Sequence, residues 1–282
     1  MRIYIVGSLK IDSLMRKMFF MNSLRSLDSV SSLFYWNFNI VGKYAKSCGK
    51  EVARRYKSAS ITHDDNSSYY GIVKKQISQI NESTHNALLF FLMEDHWFVC
   101  PHKNVFFYLL EEFYNSRADV LRITHLLELW QREHAYTVTA NKPLYKECLM
   151  DSGVLKNLWQ KYPGVYITSL PGIFKKEFAV ELLENNKSLL QSKKPGGFEL
   201  YGKKAEEFLV KRSFITMVPT VHVLREVFWI NQDERAMDAS KAFKIITLRD
   251  APDPVIKSWR RILRLIMAPR TLFGRIKRGI KK

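Results

Sequence analysis

The first hundred residues alternate between strand-like and helix-like segments, and this alternation constrains the fold more than any other feature of the chain. The β-branched segment Arg2–Ser8 predicts a first strand, and Asp12 or Ser13 is placed to cap a helix that follows it. The same alternation continues with a helix over Leu14–Leu24, a strand over Leu33–Val41, a basic helix over Lys43–Tyr56, a strand over Ala59–Thr62 and a helix over Tyr69–Ile80. This order predicts an α/β fold with a mostly parallel central sheet flanked by helices.

A continuous apolar segment, Ala87–Met93, comes next and is followed directly by Glu94, Asp95 and His96. The segment is typical of a strand covered on both faces. Ligands bind at the carboxyl ends of strands in open α/β sheets, and acids buried there are costly unless they face a cleft, a cation or a helix N-terminus. Glu94 and His96 share one face of an extended segment, and a carboxylate with an imidazole suits Mn²⁺ or a related divalent ion. The spacing is equally consistent with acids that end the strand and cap the next helix.

A second polar cluster, Asp64 and Asp65, follows the third predicted strand within a loop of good helix-capping residues. The carboxyl ends of parallel strands meet at one edge of a sheet. The sequence therefore predicts that this cluster and the segment Glu94–His96 face the same cleft.

The second half of the chain is less regular. It predicts helices over Lys103–Tyr114 and Val180–Leu190, strands over Tyr136–Thr139 and Val165–Ser169, and an apolar stretch over Met217–Leu224. No segment has the composition of a linker. We therefore expect one domain over residues 1–250, followed by a tail over residues 251–282.

The net charge of +18 is concentrated in this tail, because Lys257–Lys282 holds ten basic residues and no acid. Two apolar sets at helical spacing accompany them: Val255, Ile256, Trp259, Ile262, Leu263 and Ile266, and after Pro269 the set Leu272, Phe273, Ile276 and Ile280. Basic amphipathic helices with Trp and Phe on the apolar side are typical of interfacial membrane anchors, so residues 254–282 predict binding to an anionic membrane surface. Packing of the first helix on the domain is the alternative. No nucleic acid is expected as a partner, because the basic residues are not interleaved with aromatics in any recognisable module.

Cysteine content and hydropathy indicate the compartment. Cys48, Cys100 and Cys148 form no CxxC pair, and we interpret them as buried free thiols in a reducing compartment. No run approaches the roughly 20 apolar residues that span a bilayer, and the N-terminus is too short and too β-like for a secretory signal. These features predict a cytosolic protein, or one that is peripheral to a membrane on its cytosolic side.

Several segments carry a resemblance to a known family. Leu88–Trp97 looks like the strand that leads into the DxD metal motif of GT-A fold nucleotide-sugar glycosyltransferases of the bacterial capsule and lipopolysaccharide type. Five further segments are similar to that family in its order: Asn22–Leu27, Tyr69–Val73, Ser169–Phe178, Pro195–Leu200 and Val221–Val223. The resemblance covers roughly residues 1 to 230 and implies a GT-A-like, Rossmann-like fold.

The resemblance also implies roles for individual residues. It implies that Mn²⁺ or Mg²⁺ is held by Glu94, His96 and His222, and that Glu199 is the catalytic base. The donor contacts that it implies are Gly7, Ser8, Asp64, Asp65, Asp95 and Gly172. The chain departs from the family pattern at His96, where Asp is usual, and at Glu199, which stands alone where an acidic pair is common.

The function that the resemblance implies is inverting transfer of a sugar from a nucleotide-sugar donor. The acceptor would be a lipid-linked saccharide in cell-surface polysaccharide synthesis, which the basic tail would bring within reach. Two alternatives stay open. One is a catalytically inactive GT-A-like scaffold bound to the membrane, and the other is a nucleic-acid-binding protein, suggested by a pI near 9.7.

Overall fold

The computed structural model describes residues 1–80, 87–100, 102–123, 137–161, 171–185 and 207–226. The strands in these ranges are β1 (Arg2–Lys10), β2 (Phe34–Val41), β3 (Ser60–Thr62), β4 (Ala87–Phe91), β5 (His96–Phe98), β6 (Val120–Leu121), β7 (Thr137–Lys142), β8 (Tyr145–Met150), β9 (Gly172–Lys175), β10 (Phe214–Pro219) and β11 (Leu224–Glu226). The helices are α1 (Leu14–Ser26), α2 (Ala45–Arg55), α3 (Tyr69–Ser78), α4 (Lys103–Asn115), α5 (Ser152–Lys161), α6 (Lys176–Glu184) and α7 (Leu209–Arg212), with a 3₁₀ turn over Asp28–Leu33.

A central sheet of nine strands organises the molecule, in the order β3-β2-β1-β4-β9-β6-β10-β8-β7. Its first four strands are parallel, as the alternation of segments predicts. Beyond them, β9 is antiparallel to β4 and β6, and β8 is antiparallel to β10 and β7, whereas β10 is parallel to β6. In this sheet β9 and β8 thus run opposite to the other seven strands. Strands β7 and β8 are joined by the tight turn between Lys142 and Tyr145, and such a connection can join only antiparallel strands. The fold is mixed α/β.

Helices cover both faces of the sheet. Helices α1, α2 and α4 pack on one face, around Phe20, Phe38 and Phe106, whereas α3, α5, α6 and α7 pack on the other. Alternate residues of β4 enter the two clusters, with Leu88 and Phe90 on the first face and Ala87, Leu89 and Phe91 on the second. Every residue of β4 is at most 2% exposed, which confirms the prediction of a strand covered on both faces.

The chain after β4 enters a turn instead of a helix. His96 begins the short strand β5, which pairs with β11 in a separate two-stranded sheet. The next helix, α4, begins at Lys103, and its N-cap residue His102 makes no side-chain capping hydrogen bond. Helix capping is therefore not what the acids after β4 do. At the start of α1, by contrast, Ser13 is the cap, because its Oγ accepts the Arg16 N–H at 3.2 Å.

The cysteines match the interpretation drawn from their spacing. Cys48, Cys100 and Cys148 are free and buried. Burial raises the pKa of Cys100 to about 11 and that of Cys148 to about 12, so these thiols stay protonated at neutral pH.

Some predicted elements lie outside the described residues, namely the strand Val165–Ser169, the candidate base Glu199 and the tail over residues 251–282. Among the helices that the structure does describe, none has the length and apolar character needed to traverse a bilayer.

Gly42, in the loop between β2 and α2, should tolerate substitution poorly. Its φ is +98°, and a Cβ at this position would lie 2.8 Å from the carbonyl oxygen of Ile11. We expect Gly42→Ala to lower the free energy of unfolding by about 1–3 kcal/mol in urea titrations. Gly71→Ala is the matched control, because a Cβ there would make ordinary contacts with Ser68 Oγ at 3.4 Å and Ser67 Cβ at 4.0 Å, and it should raise stability by about 0.5–1 kcal/mol within α3. Equal effects of the two changes would contradict this account.

Candidate functional site

Several of the predicted site residues lie at the edge of the sheet where the parallel strands end. In the register, Phe91 at the end of β4 pairs with Val6 in the middle of β1 and with Gly172 at the start of β9. Ser8 pairs with Asn39 in the neighbouring strand β2. The chain segments that hold Glu94–His96 and Asp64 leave the sheet at this same edge, as predicted.

The segment after β4 is fixed along α1 by two buried serines. Ser23 Oγ donates to the carbonyl oxygen of His96 at 2.8 Å, and Ser26 Oγ accepts the N–H of Phe98 at 2.8 Å. Buried hydroxyls stabilise a structure only when they are hydrogen-bonded, and these bonds explain why an apolar helix face carries serine. The backbone of the candidate metal motif is thus held by α1.

Glu94 is a buried carboxylate beside a cation. Its Oε1 lies 3.3 Å from Nη2 of Arg16, whose Nη1 donates to the carbonyl oxygen of Lys10 at 2.7 Å. Burial raises the pKa of Glu94 although the Arg16 guanidinium opposes that shift. Arg16 therefore does not fully offset the cost of burying the negative charge of Glu94, and a second cation nearby would stabilise the ionised carboxylate.

Asp95 and His96 form a pair in which the carboxylate orients the ring. His96 Nδ1 lies 2.8 Å from Asp95 Oδ1. Burial pushes the pKa of Asp95 upward, but the hydrogen bond and charge of His96 outweigh it and hold that pKa below its ordinary value. An ionised Asp95 requires the proton on Nδ1, so in the neutral ring Nε2 carries the lone pair. This is the arrangement by which a carboxylate prepares histidine to bind a metal through its other nitrogen.

His222 does not join this pair through the strand register. Strand β11 runs antiparallel to β5 and brings Glu226 opposite His96 and Leu224 opposite Phe98. His222 precedes Glu226 by four residues, a distance of about 13 Å along an extended chain. Within the ranges that the structure describes, no three His, Cys, Asp or Glu side chains are grouped to hold a metal ion. The residue whose backbone pairs with His96 is Glu226, which was not among the predicted ligands. The order of the motifs along the chain does not determine which residues of β5 and β11 pair.

Asp64 turns its carboxylate toward its own loop. Oδ1 accepts the N–H groups of Asn66 and Ser67, each at 3.0 Å, and Oδ2 accepts the Ser67 hydroxyl at 2.5 Å. The hydrogen bonds from Ser67 lower the pKa of Asp64. Asp64 therefore shapes the loop before α3, and its neighbour Asp65 is the exposed acid of the two.

Asn39 is a site-edge residue that the sequence analysis missed. Fully buried in β2, it donates from Nδ2 to Ser8 Oγ at 3.1 Å and to the carbonyl oxygen of Asp64 at 2.8 Å. Its Oδ1 accepts from Thr62 Oγ1 at 2.9 Å and from the N–H of Asp64 at 2.8 Å. One amide thus joins β1, β3 and the following loop. The available signal was an asparagine inside the apolar strand Phe34–Val41.

Two predicted donor contacts are glycines with packing roles. A Cβ on Gly7 would lie 3.2 Å from the carbonyl oxygen of Leu92, so glycine allows β1 to approach the chain that leaves β4. Gly172 begins a strand, not the glycine loop that the resemblance implies, and a Cβ there would lie 3.0 Å from the Phe174 ring. The sequence analysis also missed Arg122, a cation 3% exposed that directly follows β6 at this edge.

Comparison with known proteins leaves the family open. No family model and no curated protein sequence matches the chain. Among solved structures it is similar to residues 1–349 of S. aureus TarS, with 12% identity, a TM-score of 0.47 and coverage of 86% of this chain and 64% of that one. It is also similar to UDP-glucose pyrophosphorylase complexed with UDP-glucose, with 10% identity, a TM-score of 0.46 and coverage of 86% and 99%.

A third similar structure is 4-diphosphocytidyl-2C-methyl-D-erythritol synthase, with 10% identity, a TM-score of 0.39 and coverage of 74% and 85%. The chain spans less than two thirds of the TarS fragment. Similarities this distant assign neither a family nor an activity to the chain, and its function has to be argued from the site itself.

Proposed function

We propose that this chain is an inverting glycosyltransferase that moves a sugar from a nucleotide-sugar donor to a lipid-linked saccharide in cell-surface polysaccharide synthesis. The observation that carries the proposal is the segment Glu94–His96 at the carboxyl end of β4. It combines a buried carboxylate with an imidazole oriented by Asp95. This is the place in an α/β sheet where ligands bind, and the residue types suit a divalent ion beside a diphosphate.

The donor set near His96 fits Mn²⁺ or Mg²⁺. His96 Nε2 and the Glu94 carboxylate offer two protein ligands, and such ions are commonly held by one or two side chains together with substrate phosphate oxygens. When bound, the ion would neutralise the charge that develops on the leaving diphosphate. His222 is a weaker candidate than these two, because the strand register does not bring it to His96.

Donor binding would use the edge formed by β1, β2 and the loop before α3. Ser8 is positioned by Asn39, and the backbone around Asp64 is fixed by the same amide. Asp65, exposed in the same loop, would add a contact to the nucleoside. Asp95 would act through His96, by holding the proton on Nδ1.

The chemical step that we propose needs one base. Glu199 would accept the proton of the acceptor hydroxyl while that oxygen attacks the anomeric carbon from the face opposite the diphosphate. The bond from the anomeric carbon to the diphosphate oxygen breaks, the nucleoside diphosphate leaves with the electron pair, and the anomeric configuration inverts. Arg16 would stay paired with Glu94, and its charge opposes the rise that burial causes in the pKa of that carboxyl.

Residues 254–282 would bring the enzyme to the cytoplasmic face of the inner membrane, where a lipid-linked acceptor resides. Ten basic residues and two apolar stripes support this proposal. Co-sedimentation of the chain with and without these residues would separate membrane binding from packing of the first stripe on the domain.

A donor screen tests the proposal most directly. We expect one or a few nucleotide sugars to raise the melting temperature of the chain, and we expect Mn²⁺ to increase that shift in the wild type and much less in His96→Ala. His102→Ala is the matched control, since His102 is exposed before α4 and the histidine that pairs with Asp95 is His96. A screen in which no nucleotide sugar stabilises the protein, with or without metal, would refute the enzyme and favour the inactive scaffold.

A further inference from the structure

The first residue of α1, Leu14, has an apolar side chain that is exposed to solvent. Leu14 is 68% exposed, the highest value among the large apolar side chains in the described ranges. Its position is fixed, because the N-cap bond from Ser13 holds the first turn of the helix. Single exposed apolar side chains are common on proteins, so the case for a contact at Leu14 depends on the charged groups near it.

A series of lysines begins one helical turn from this leucine. Lys17 lies one helical turn beyond Leu14, and its Nζ lies 5.6 Å from the centre of the Tyr44 ring. Lys43 Nζ lies 5.6 Å from the centre of the same ring. The N–H of Tyr44 donates to the carbonyl oxygen of Ile11 at 3.0 Å, so the loop after β1 and the loop after β2 are joined.

The same charge continues along the exposed side of α2. Lys46 and Lys50 follow Lys43 at steps of three and four residues, and all three are exposed. Lys10, exposed at the end of β1, extends the patch on the other side of Leu14. We call Lys10, Lys17, Lys43, Lys46 and Lys50 the basic patch.

Acidic groups near the basic patch do not cancel it. Asp12, exposed between Lys10 and Leu14, is the acid in the loop after β1. Glu51 of α2 is bound by Arg54 and Arg55, and Glu94 is buried against Arg16. Four exposed lysines and the half-buried Lys17 therefore stand against one exposed acid on this side of the protein.

We propose that the basic patch and Leu14 dock on the surface of an anionic phospholipid bilayer. Lysines attract anionic headgroups within a Debye length, and a leucine beside them gains an apolar environment by entering the interface. Nucleic acid would satisfy the lysines but offers no apolar phase for Leu14, so the bilayer is the better match. The inference goes beyond the proposed function, because it concerns a surface distinct from residues 254–282 and requires no sugar transfer.

Vesicle binding by the full chain tests this surface. The patch variant Lys43→Glu/Lys46→Glu/Lys50→Glu is compared with the control variant Lys57→Glu/Lys142→Glu/Lys156→Glu, which changes the net charge equally at exposed lysines outside the patch. On phosphatidylcholine vesicles containing phosphatidylglycerol, we expect the patch variant to bind at least about tenfold more weakly than the control variant. Leu14→Ser should weaken binding several-fold without changing charge.

The result that would overturn the proposal is equal vesicle binding by the patch and control variants, with circular dichroism showing both folded. A patch variant that loses affinity for duplex DNA while keeping its affinity for vesicles would overturn it as well. Because no donor or acceptor is present, failure here leaves the glycosyltransferase proposal standing, and a negative donor screen leaves this result standing.

Discussion

Asn39→Ala is expected to lower the free energy of unfolding by about 3 kcal/mol or more, the largest effect of any single polar change at the sheet edge. The buried amide makes four hydrogen bonds, to Ser8, Thr62 and both backbone groups of Asp64. Each buried group left without its partner costs about 1–3 kcal/mol, and alanine leaves several of them at once. The loop that Asp64 shapes should loosen too, so donor-induced stabilisation should fall with the stability.

Urea denaturation followed by tryptophan fluorescence measures this effect. Asn66→Ala is the matched control, because Asn66 is exposed in the same loop, and its loss should change the free energy of unfolding by about 0.5 kcal/mol or less. An Asn39→Ala protein as stable as the Asn66→Ala protein would show that the amide does not join these strands.

Glu199→Gln is expected to lower kcat for sugar transfer by about 100- to 10,000-fold, because glutamine cannot accept the proton of the acceptor hydroxyl. Donor affinity should stay close to wild type, since the proposed base contacts the acceptor. His96→Ala should behave differently, with weaker donor binding in the presence of Mn²⁺ as well as slower transfer. The two variants thus separate the proposed base from the proposed metal ligand.

Radiolabelled transfer to an isolated lipid-linked saccharide, at varied concentrations of the donor found in the screen, measures kcat and the KM for the donor. Glu207→Gln supplies the control, since Glu207 is an exposed carboxylate just before α7 and should leave kcat unchanged. Full activity in both Glu199→Gln and His96→Ala would refute the site, whatever the donor.

The parallel half of the sheet was predictable because each of its strands is marked locally. β-branched or aromatic residues form β1 and β2, and the continuous apolar run of β4 requires cover on both faces. The direction of β9 was not predictable in this way. Gly172–Lys175 is only four residues long, and its pairing with Leu88–Phe91 depends on contacts between segments far apart in the chain.

The candidate site shows the same division. The sequence placed Glu94–His96 at the end of a buried strand, since strand and acids are adjacent in the chain. It could not show that Arg16 reaches Glu94, because that ion pair joins the first turn of α1 to a segment 78 residues later. It also could not show which carboxylates are already engaged. Asp64 resembled a donor contact in sequence, yet its oxygens accept hydrogen bonds from its own loop.

The two serines and Arg16 attach the candidate site to α1. Over its 13 residues, about 20 Å, α1 presents Leu14 at its first residue, Arg16 to Glu94 in its first turn and Ser23 to the backbone of His96 further along. Leu14 is therefore connected through a single helix to the segment that holds the Glu94 carboxylate and the His96 imidazole. One helix therefore sets the position of the candidate site relative to the surface that Leu14 contacts.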